Sequence, residues 1–269
     1  LGGAEKTAAE GCGPARAPRI FGRRIGRPLR PAQQDALGTL LPVLRLDLGT
    51  IGTISHPHPG PLPQGEGTEP TTADRLGSPL PQGEGQGEGA FLSGKTILEI
   101  GFGNGEHFCS LLRAHPDANL IGSEVFLNGI ASLLTRLLRD EAEVPFRDRV
   151  RLWPDDARAL VERLADACID QAFLLFPDPW PKARHAERRI VQPGFLMQVA
   201  RTLKHDGRLT VATDHPVYRA WVEEVLPASP ALRVTGREDR ALTDPPRTRY
   251  EAKAFREGRQ STWWVIQRA

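Results

Sequence analysis

Residues 96 to 108 read TILEIGFGNGEHF. An apolar run with β-branched side chains gives way to a turn carrying Gly101, Gly103 and Gly105, and GEHFCSLLRAH then sets apolar residues at helical spacing. The glycines let the backbone turn sharply and let a ligand approach without side-chain obstruction. Strand, glycine turn and helix in that order are the opening unit of an α/β fold, and the chain that follows repeats the alternation. Further strand candidates are NLIGSEV (119 to 125), VRLWPDD (150 to 156), AFLLFP (172 to 177), GRLTVATD (207 to 214), LRVTG (232 to 236) and STWWVIQR (261 to 268). Between them FLNGIASLLTRLLRDEAE, ARALVERLADA, GFLMQVARTLK and VYRAWVEEVL have helical periodicity. Continuous apolar strands joined by helical crossovers imply a mainly parallel sheet covered on both faces, with ligands at the carboxyl ends of its strands.

Those ends carry acids. Glu99 stands just ahead of the glycine turn, where a carboxylate would repel a pyrophosphate but attract a sulfonium or an ammonium. The third glycine also falls one position early for the dinucleotide fingerprint G-x-G-x-x-G, which disfavours a nicotinamide oxidoreductase. Glu124 closes the second strand and suits a ribose diol; Asp156 closes the third, placed to reach an adenine amino group. Each acid also has a plainer role, as a strand-end charge for Glu99 and as helix caps for the other two. Three acids at consecutive strand ends beside a glycine turn favour S-adenosylmethionine.

The fourth strand leads into LLFPDPWPKARH (174 to 185). Phe176, Asp178 and Trp180 each precede a proline, which predicts extended backbone at all three and a preorganised loop. Such a loop would fix the Asp178 carboxylate and an aromatic face against a planar base, while Lys182, Arg184, His185, Arg188 and Arg189 supply charge for phosphates. Trp180 either stacks on that base or packs beneath the loop. Asp214, at the end of the fifth strand, either joins the pocket or caps the helix beginning near His215.

Composition bounds the rest. The chain has 269 residues, 39% of them hydrophobic, and a net charge of +2, enough apolar content for a buried core. No run approaches the roughly 20 apolar residues of a membrane helix, and LGGAEKTAAEGCG lacks the apolar stretch of a secretory signal, so a cytoplasmic address is expected. Cys12, Cys109 and Cys168 are scattered and unpaired with histidines at metal spacing, so reduced thiols and no metal site are expected. Residues 16 to 30 carry Arg16, Arg19, Arg23, Arg24, Arg27 and Arg30 and no acid, which reads as a polyanion-binding arm or a solvated tail. PAQQDALGTLLPVLRLDL (31 to 48) predicts a short helix packed on the main body. Residues 55 to 90 hold seven Pro and eight Gly, with PLPQGEG at 61 to 67 and again at 79 to 85. A polar repeat with nothing to bury is expected to be a disordered insertion. The chain thus divides into an arm with a short helix (1 to 54), the insertion (55 to 94) and a catalytic domain (95 to 269).

FPDPWPKARHAERRI (176 to 190), with LEIGFGNGEH, ATDHPVY (212 to 218) and TRYE (248 to 251) in the same order, resembles the bacterial tRNA (guanine-N7-)-methyltransferase family. The likeness is close over 95 to 269 and looser over 19 to 48. RRIGRPLRPAQQ looks like the family's basic arm, whereas the repeat insertion is foreign to the pattern and Glu187 stands where a basic residue is usual. The resemblance implies an α/β, Rossmann-like, doubly wound, mainly parallel seven-stranded sheet of the class I methyltransferase type. It implies methyl transfer from S-adenosylmethionine to N7 of a guanine in the tRNA variable loop. By likeness Glu99, Gly101, Gly103, Gly105, Glu124, Asp156 and Asp178 would bind the methyl donor, Asp178 would also be the catalytic residue, and Lys182, Arg184, Asp214, Thr248, Arg249, Tyr250 and Glu251 would meet tRNA. Two other readings stand beside it: a methyltransferase for another acceptor, and a catalytically silent RNA-binding protein that keeps the fold. Monomer and dimer are not distinguished.

Overall fold

Strand β1 (Thr96–Ile100) is buried along its whole length and alternates its side chains between two cores: Ile97 faces one, Leu98 and Ile100 the other. It is the centre of a seven-stranded sheet in the computed structural model, which describes residues 24–47, 91 and 94–269. The repeat at 55–90, Cys12, Arg16, Arg19 and Arg23 lie outside the described residues.

The remaining strands are β2 (Asn119–Ser123), β3 (Val150–Trp153), β4 (Ile169–Leu175), β5 (Leu203–Thr213), β6 (Leu232–Arg240) and β7 (Ser261–Arg268), in the spatial order β3-β2-β1-β4-β5-β7-β6. Pairing is parallel from β3 through β5, and β7 runs antiparallel between β5 and β6. The expected mainly parallel α/β sheet is therefore observed. Strand order reverses between β1 and β4, where open sheets of this kind form a crevice.

Two helical segments, α1 (Pro31–Thr39) and α2 (Leu41–Leu44), precede the sheet. The crossovers are α3 (Glu106–Ala114), α4 (Leu127–Asp140), α5 (Ala157–Arg163), α6 (Pro193–Thr202) and α7 (Pro216–Val225). Helix α4 buries Ile130, Leu133, Leu134 and Leu137 against the sheet, the i, i+3, i+4, i+7 stripe that makes the segment a helix. Helices α3 and α4 cover one face together with Ala36, Leu40 and Leu44 of the N-terminal segment; α5, α6 and α7 cover the other. Truncating a fully buried leucine such as Leu98 to Ala is expected to cost about 2–5 kcal/mol.

The N-terminal segment is an integral part of the body rather than an appendage. Arg45 bridges Leu152 in parallel and the Leu46 amide donates to the Leu152 carbonyl at 2.9 Å, extending the sheet edge at β3. One helix is absent from the sequence-based expectation, α8 (Arg249–Arg256), which returns the chain to the carboxyl ends of the parallel strands before β7. Trp263 and Trp264 are both buried, on opposite faces of β7.

Candidate active site

Gly101, Gly103 and Gly105 all adopt left-handed backbone, at φ of 72°, 56° and 80°. A β-carbon on Gly101 would meet nothing within 4 Å, so the turn faces open space there. That space is a cavity of about 370 Å³ at the carboxyl ends of β1 to β4, and Gly101, Gly103, Glu124, Asp156, Asp178 and Tyr250 all line it. A smaller recess beside it is lined by Glu99, His107, Thr248, Arg249 and Tyr250. Lys182, Arg184, Asp214 and Glu251 line neither.

The three acids sit in different surroundings. Glu99 is 3% exposed; its Oε1 lies 3.1 Å from His107 Nδ1, while Oε2 has no hydrogen-bond partner. A buried carboxylate oxygen left unpaired is costly, and it marks a place that a ligand donor completes. Glu124 accepts from Gly103 N through Oε2 and from Val125 N and Phe126 N through Oε1, each at 2.8 Å. Burial nonetheless pushes its carboxyl above the ordinary range, against the pull of those amides. Asp156 caps α5: Oδ1 accepts from Arg158 N and Oδ2 from Arg158 Nη1, both at 2.9 Å. Its plainer role as a helix cap is thus realised, and each oxygen keeps acceptor capacity beyond these bonds.

The loop after β4 departs from the expected extended geometry. Phe176 and Trp180 have φ of 53° and 41°, left-handed conformations that their prolines disfavour. Tertiary contacts override the local preference. The Phe176 amide donates to the Ala212 carbonyl at 2.8 Å, and its ring stacks on Tyr250 and meets Trp263 edge-on. Trp180 is held through its carbonyl by Arg189 Nη2 at 3.1 Å, with Arg189 Nε reaching the Pro179 carbonyl at 3.3 Å. Arg189, expected to face phosphates, is buried and lies over the Trp221 ring instead. Arg188 covers the Trp180 ring and lines the cavity. Asp178 projects at the exposed tip, and no hydrogen bond or ion pair holds its carboxylate among the described residues. Lys182 and Arg184 are exposed at the 3-10 turn Ala183–Arg188. His185 there is pushed below the ordinary imidazole value by desolvation and by the cations Arg188, Arg184 and Lys182.

Across the cavity Thr248 caps α8, its Oγ1 accepting from Glu251 N at 3.1 Å, and Glu251 Oε2 accepts in return from Arg247 N at 2.6 Å. The T-x-x-E spacing is a helix-start signal that could have marked α8 from sequence. Glu251, expected to meet tRNA, is fully buried: Oε1 accepts from Arg240 Nε and Trp263 Nε1 at 2.9 Å and from Ser261 Oγ. Desolvation works against its charge, but the donors from Ser261, Arg247 and Trp263 hold the carboxyl below its ordinary range. The buried carboxylate anchors the turn from which Arg249 and Tyr250 reach the two cavities. Asp214 neither lines the pocket nor caps α7. It pairs with Arg259 Nε at 2.8 Å, and the cap is His215, whose Nδ1 accepts from Val217 N.

A family model described as "Putative methyltransferase" matches residues 93–263. Over 249 residues the chain is 41% identical to the tRNA (guanine-N(7)-)-methyltransferase of Granulibacter bethesdensis, covering 91% of this chain and 93% of the relative. Over 266 residues it is 39% identical to the protein of the same name from Paramagnetospirillum magneticum, covering 98% of each. The chain belongs to the tRNA (guanine-N(7)-)-methyltransferase family. A solved structure described as an antibiotic related methyltransferase superposes at a TM-score of 0.51 with 12% identity, over 68% of this chain and 92% of that one, a likeness of fold alone.

The methyl donor of this methyltransferase is S-adenosylmethionine, and the residues present fit it. An orphaned buried carboxylate oxygen on Glu99 matches an ammonium donor, and Gly101 opens on the cavity. No cluster of three or more His, Cys, Asp or Glu side chains suited to a metal ion occurs among the described residues. No helix among them is long and apolar enough to cross a membrane. Cys109 and Cys168 are buried free thiols, pushed up to about 11 chiefly by desolvation. The sequence reading of the methyltransferase site lacked His107 beside Glu99 and Phe126 on the cavity wall. His107 is the second residue of α3, directly after the glycine turn, and its place there was readable from the sequence.

Proposed function

We propose that the chain methylates N7 of a guanine in tRNA, drawing the methyl from S-adenosylmethionine and yielding 7-methylguanosine. The observation that carries the reading is the convergence of two uncommitted carboxylates, Glu99 Oε2 and Asp178, with Glu124 on one end of the sheet at its switch point. When bound, S-adenosylmethionine supplies a methyl group on a sulfonium, open to displacement by a neutral nitrogen.

Guanine N7 presents its lone pair without prior deprotonation, so no general base is required for the transfer. The protein's work is alignment, an effect that can supply on the order of 7–11 kcal/mol. Glu99 Oε2 receives the donor's ammonium and Glu124 its ribose hydroxyls. Asp178 accepts from the donor edge of the guanine and favours the positive charge that appears on the ring. Phe176 and Tyr250, stacked at 6.3 Å, wall the cavity, and Trp180 offers a ring beside Asp178. Lys182, Arg184, Arg188 and Arg249 provide charge for the RNA backbone. Thr248 and Glu251 serve the site by holding the α8 turn, and Asp214 by tying the end of β5 to Arg259. The division into arm, insertion and catalytic domain belongs to this reading, as does a cytoplasmic address, where tRNA is found.

The test is methyl transfer from labelled S-adenosylmethionine to bulk tRNA, followed by nucleoside analysis. Label in 7-methylguanosine, sharply reduced in Asp178→Asn with donor affinity kept, is the expected result. Label in another nucleoside, or none with the donor bound, would overturn the reading.

A further inference from the structure

The first turn of α4 carries a polar side chain that the chemistry above does not use. Asn128 Oδ1 accepts from Gly26 N at 2.7 Å, and its Nδ2 donates to the Arg27 carbonyl at 2.7 Å, bridging about a hundred residues of sequence. Beside it Leu127 N, one of the helix's first amides with no partner inside the helix, donates to the Arg24 carbonyl at 2.8 Å. Gln33 Nε2 reaches Ser132 Oγ one turn further on, at 3.4 Å.

These contacts press the segment onto the cavity wall. A β-carbon on Gly26 would fall 2.9 Å from Phe126 Cζ, and Phe126 both lines the cavity and donates its amide to Glu124. Arg24 Nη2 stands 3.9 Å from Asp155, which also lines the cavity. The Arg27 and Arg30 side chains are exposed. Trp180 and Arg188 of the loop after β4 also line the cavity, and Lys182 and Arg184 of the same loop are exposed. Cations therefore flank the cavity from two segments, a layout suited to a polyanion whose one base enters while its phosphates pass on both sides.

We infer that Asn128 is a positioning residue: its carboxamide latches the arginine-bearing segment to the rim of the donor cavity and so sets how tightly the enzyme holds tRNA phosphates. The inference rests on the tRNA-methyltransferase reading. A carboxamide is suited to the task because it presents an acceptor and a donor together, matching the Gly26 N–H and the Arg27 carbonyl. Aspartate lacks the donor and alanine lacks both.

The experiment compares the parent, Asn128→Ala and the double variant Arg24→Ala/Arg27→Ala. It measures the KM for tRNA, kcat at saturating tRNA, donor affinity by calorimetry, and the slope of log tRNA affinity against log salt. In Asn128→Ala the KM for tRNA is expected to rise about tenfold and the salt slope to become shallower by about one to two, as unanchored arginines cease to displace counterions. Donor affinity and kcat stay within about twofold. The double variant, which keeps the latch, is expected to show the same loss of slope, and adding Asn128→Ala to it changes little further. A purely structural role for Asn128 would leave the salt slope unmoved. Should Asn128→Ala fail to fold, the double variant is paired with Asn128→Asp, which keeps the acceptor and is expected to lose part of the slope. An active parent whose variants match its tRNA KM and slope overturns the latch alone. A parent that makes no 7-methylguanosine from tRNA overturns the underlying reading and the latch with it.

Discussion

The Tyr250 hydroxyl oxygen lies 2.7 Å from the point a β-carbon on Gly103 would occupy. The glycine turn and helix α8, which both border the cavity, are thus in van der Waals contact, and the absence of a side chain at Gly103 is what lets them meet. Gly103→Ala is expected to weaken donor binding about tenfold. The left-handed φ of 56° costs about 1–2 kcal/mol for alanine, and Tyr250 must also withdraw. Calorimetric titration with S-adenosylmethionine checks this; unchanged affinity would mean that the contact does not shape the donor site.

Arg189 decides the shape of the loop that carries Asp178. Arg189→Met removes the donors to Pro179 and Trp180, and a misplacement of the carboxylate by an ångström can lower turnover on the order of 10²-fold. Donor affinity is expected to hold. Arg189→Lys is expected not to restore the rate, since an ammonium lacks the planar fork that reaches both carbonyls. Full activity in the lysine variant would show that charge alone, and not the fork, is required.

Glu251→Ala leaves Arg240 buried without its principal partner, a change expected to destabilise the fold by about 3–5 kcal/mol. Urea denaturation gives the measurement. A loss below about 1 kcal/mol would mean that Glu238 and the Pro245 carbonyl, the other groups bound to Arg240, suffice to hold it.

Burial raises the Glu124 carboxyl in the folded state, which fixes the sign of its pH dependence. A raised carboxyl favours the folded protein while protonated, at pH below its unfolded value, and that contribution is lost as pH rises through the folded value. Donor binding is expected to move oppositely, because the proposed acceptor of a ribose hydroxyl is the ionised carboxylate, whose Oε2 accepts only from Gly103 N among the described residues. Relative to Glu124→Gln, the parent is expected to lose thermal stability from mildly acid to neutral pH while gaining donor affinity. Parallel pH profiles for the two proteins would remove Glu124 from both roles.

The parallel sheet was legible because its strands and crossovers differ in period: TILEI is apolar but for Thr96 and Glu99, and α4 repeats leucine at helical spacing. Helix α8 shows no apolar stripe, since RYEAKAFR buries only Glu251 and Ala254, and its sequence signal is the T-x-x-E start at Thr248 and Glu251. The acids at the strand ends could be placed from sequence, since a strand end is a local feature. What each carboxylate binds is set by residues far along the chain. Glu251 is neutralised by Arg240, Ser261 and Trp263, Asp214 by Arg259, and no local pattern announces those partners. The left-handed Phe176 and Trp180 were hidden for the same reason, because their prolines predict the opposite.

The antiparallel insertion of β7 between β5 and β6 also bears on biosynthesis. During translation the glycine turn, the Asp178 loop and the parallel strands are made first, and together they line most of the cavity. Tyr250, which also lines that cavity, neighbours a carboxylate clasped by Ser261 and Trp263, residues synthesised after all of the parallel strands. A nascent chain short of β7 therefore lacks the clasp on Glu251, and the turn that carries Tyr250 gains that clasp only when β7 pairs between β5 and β6.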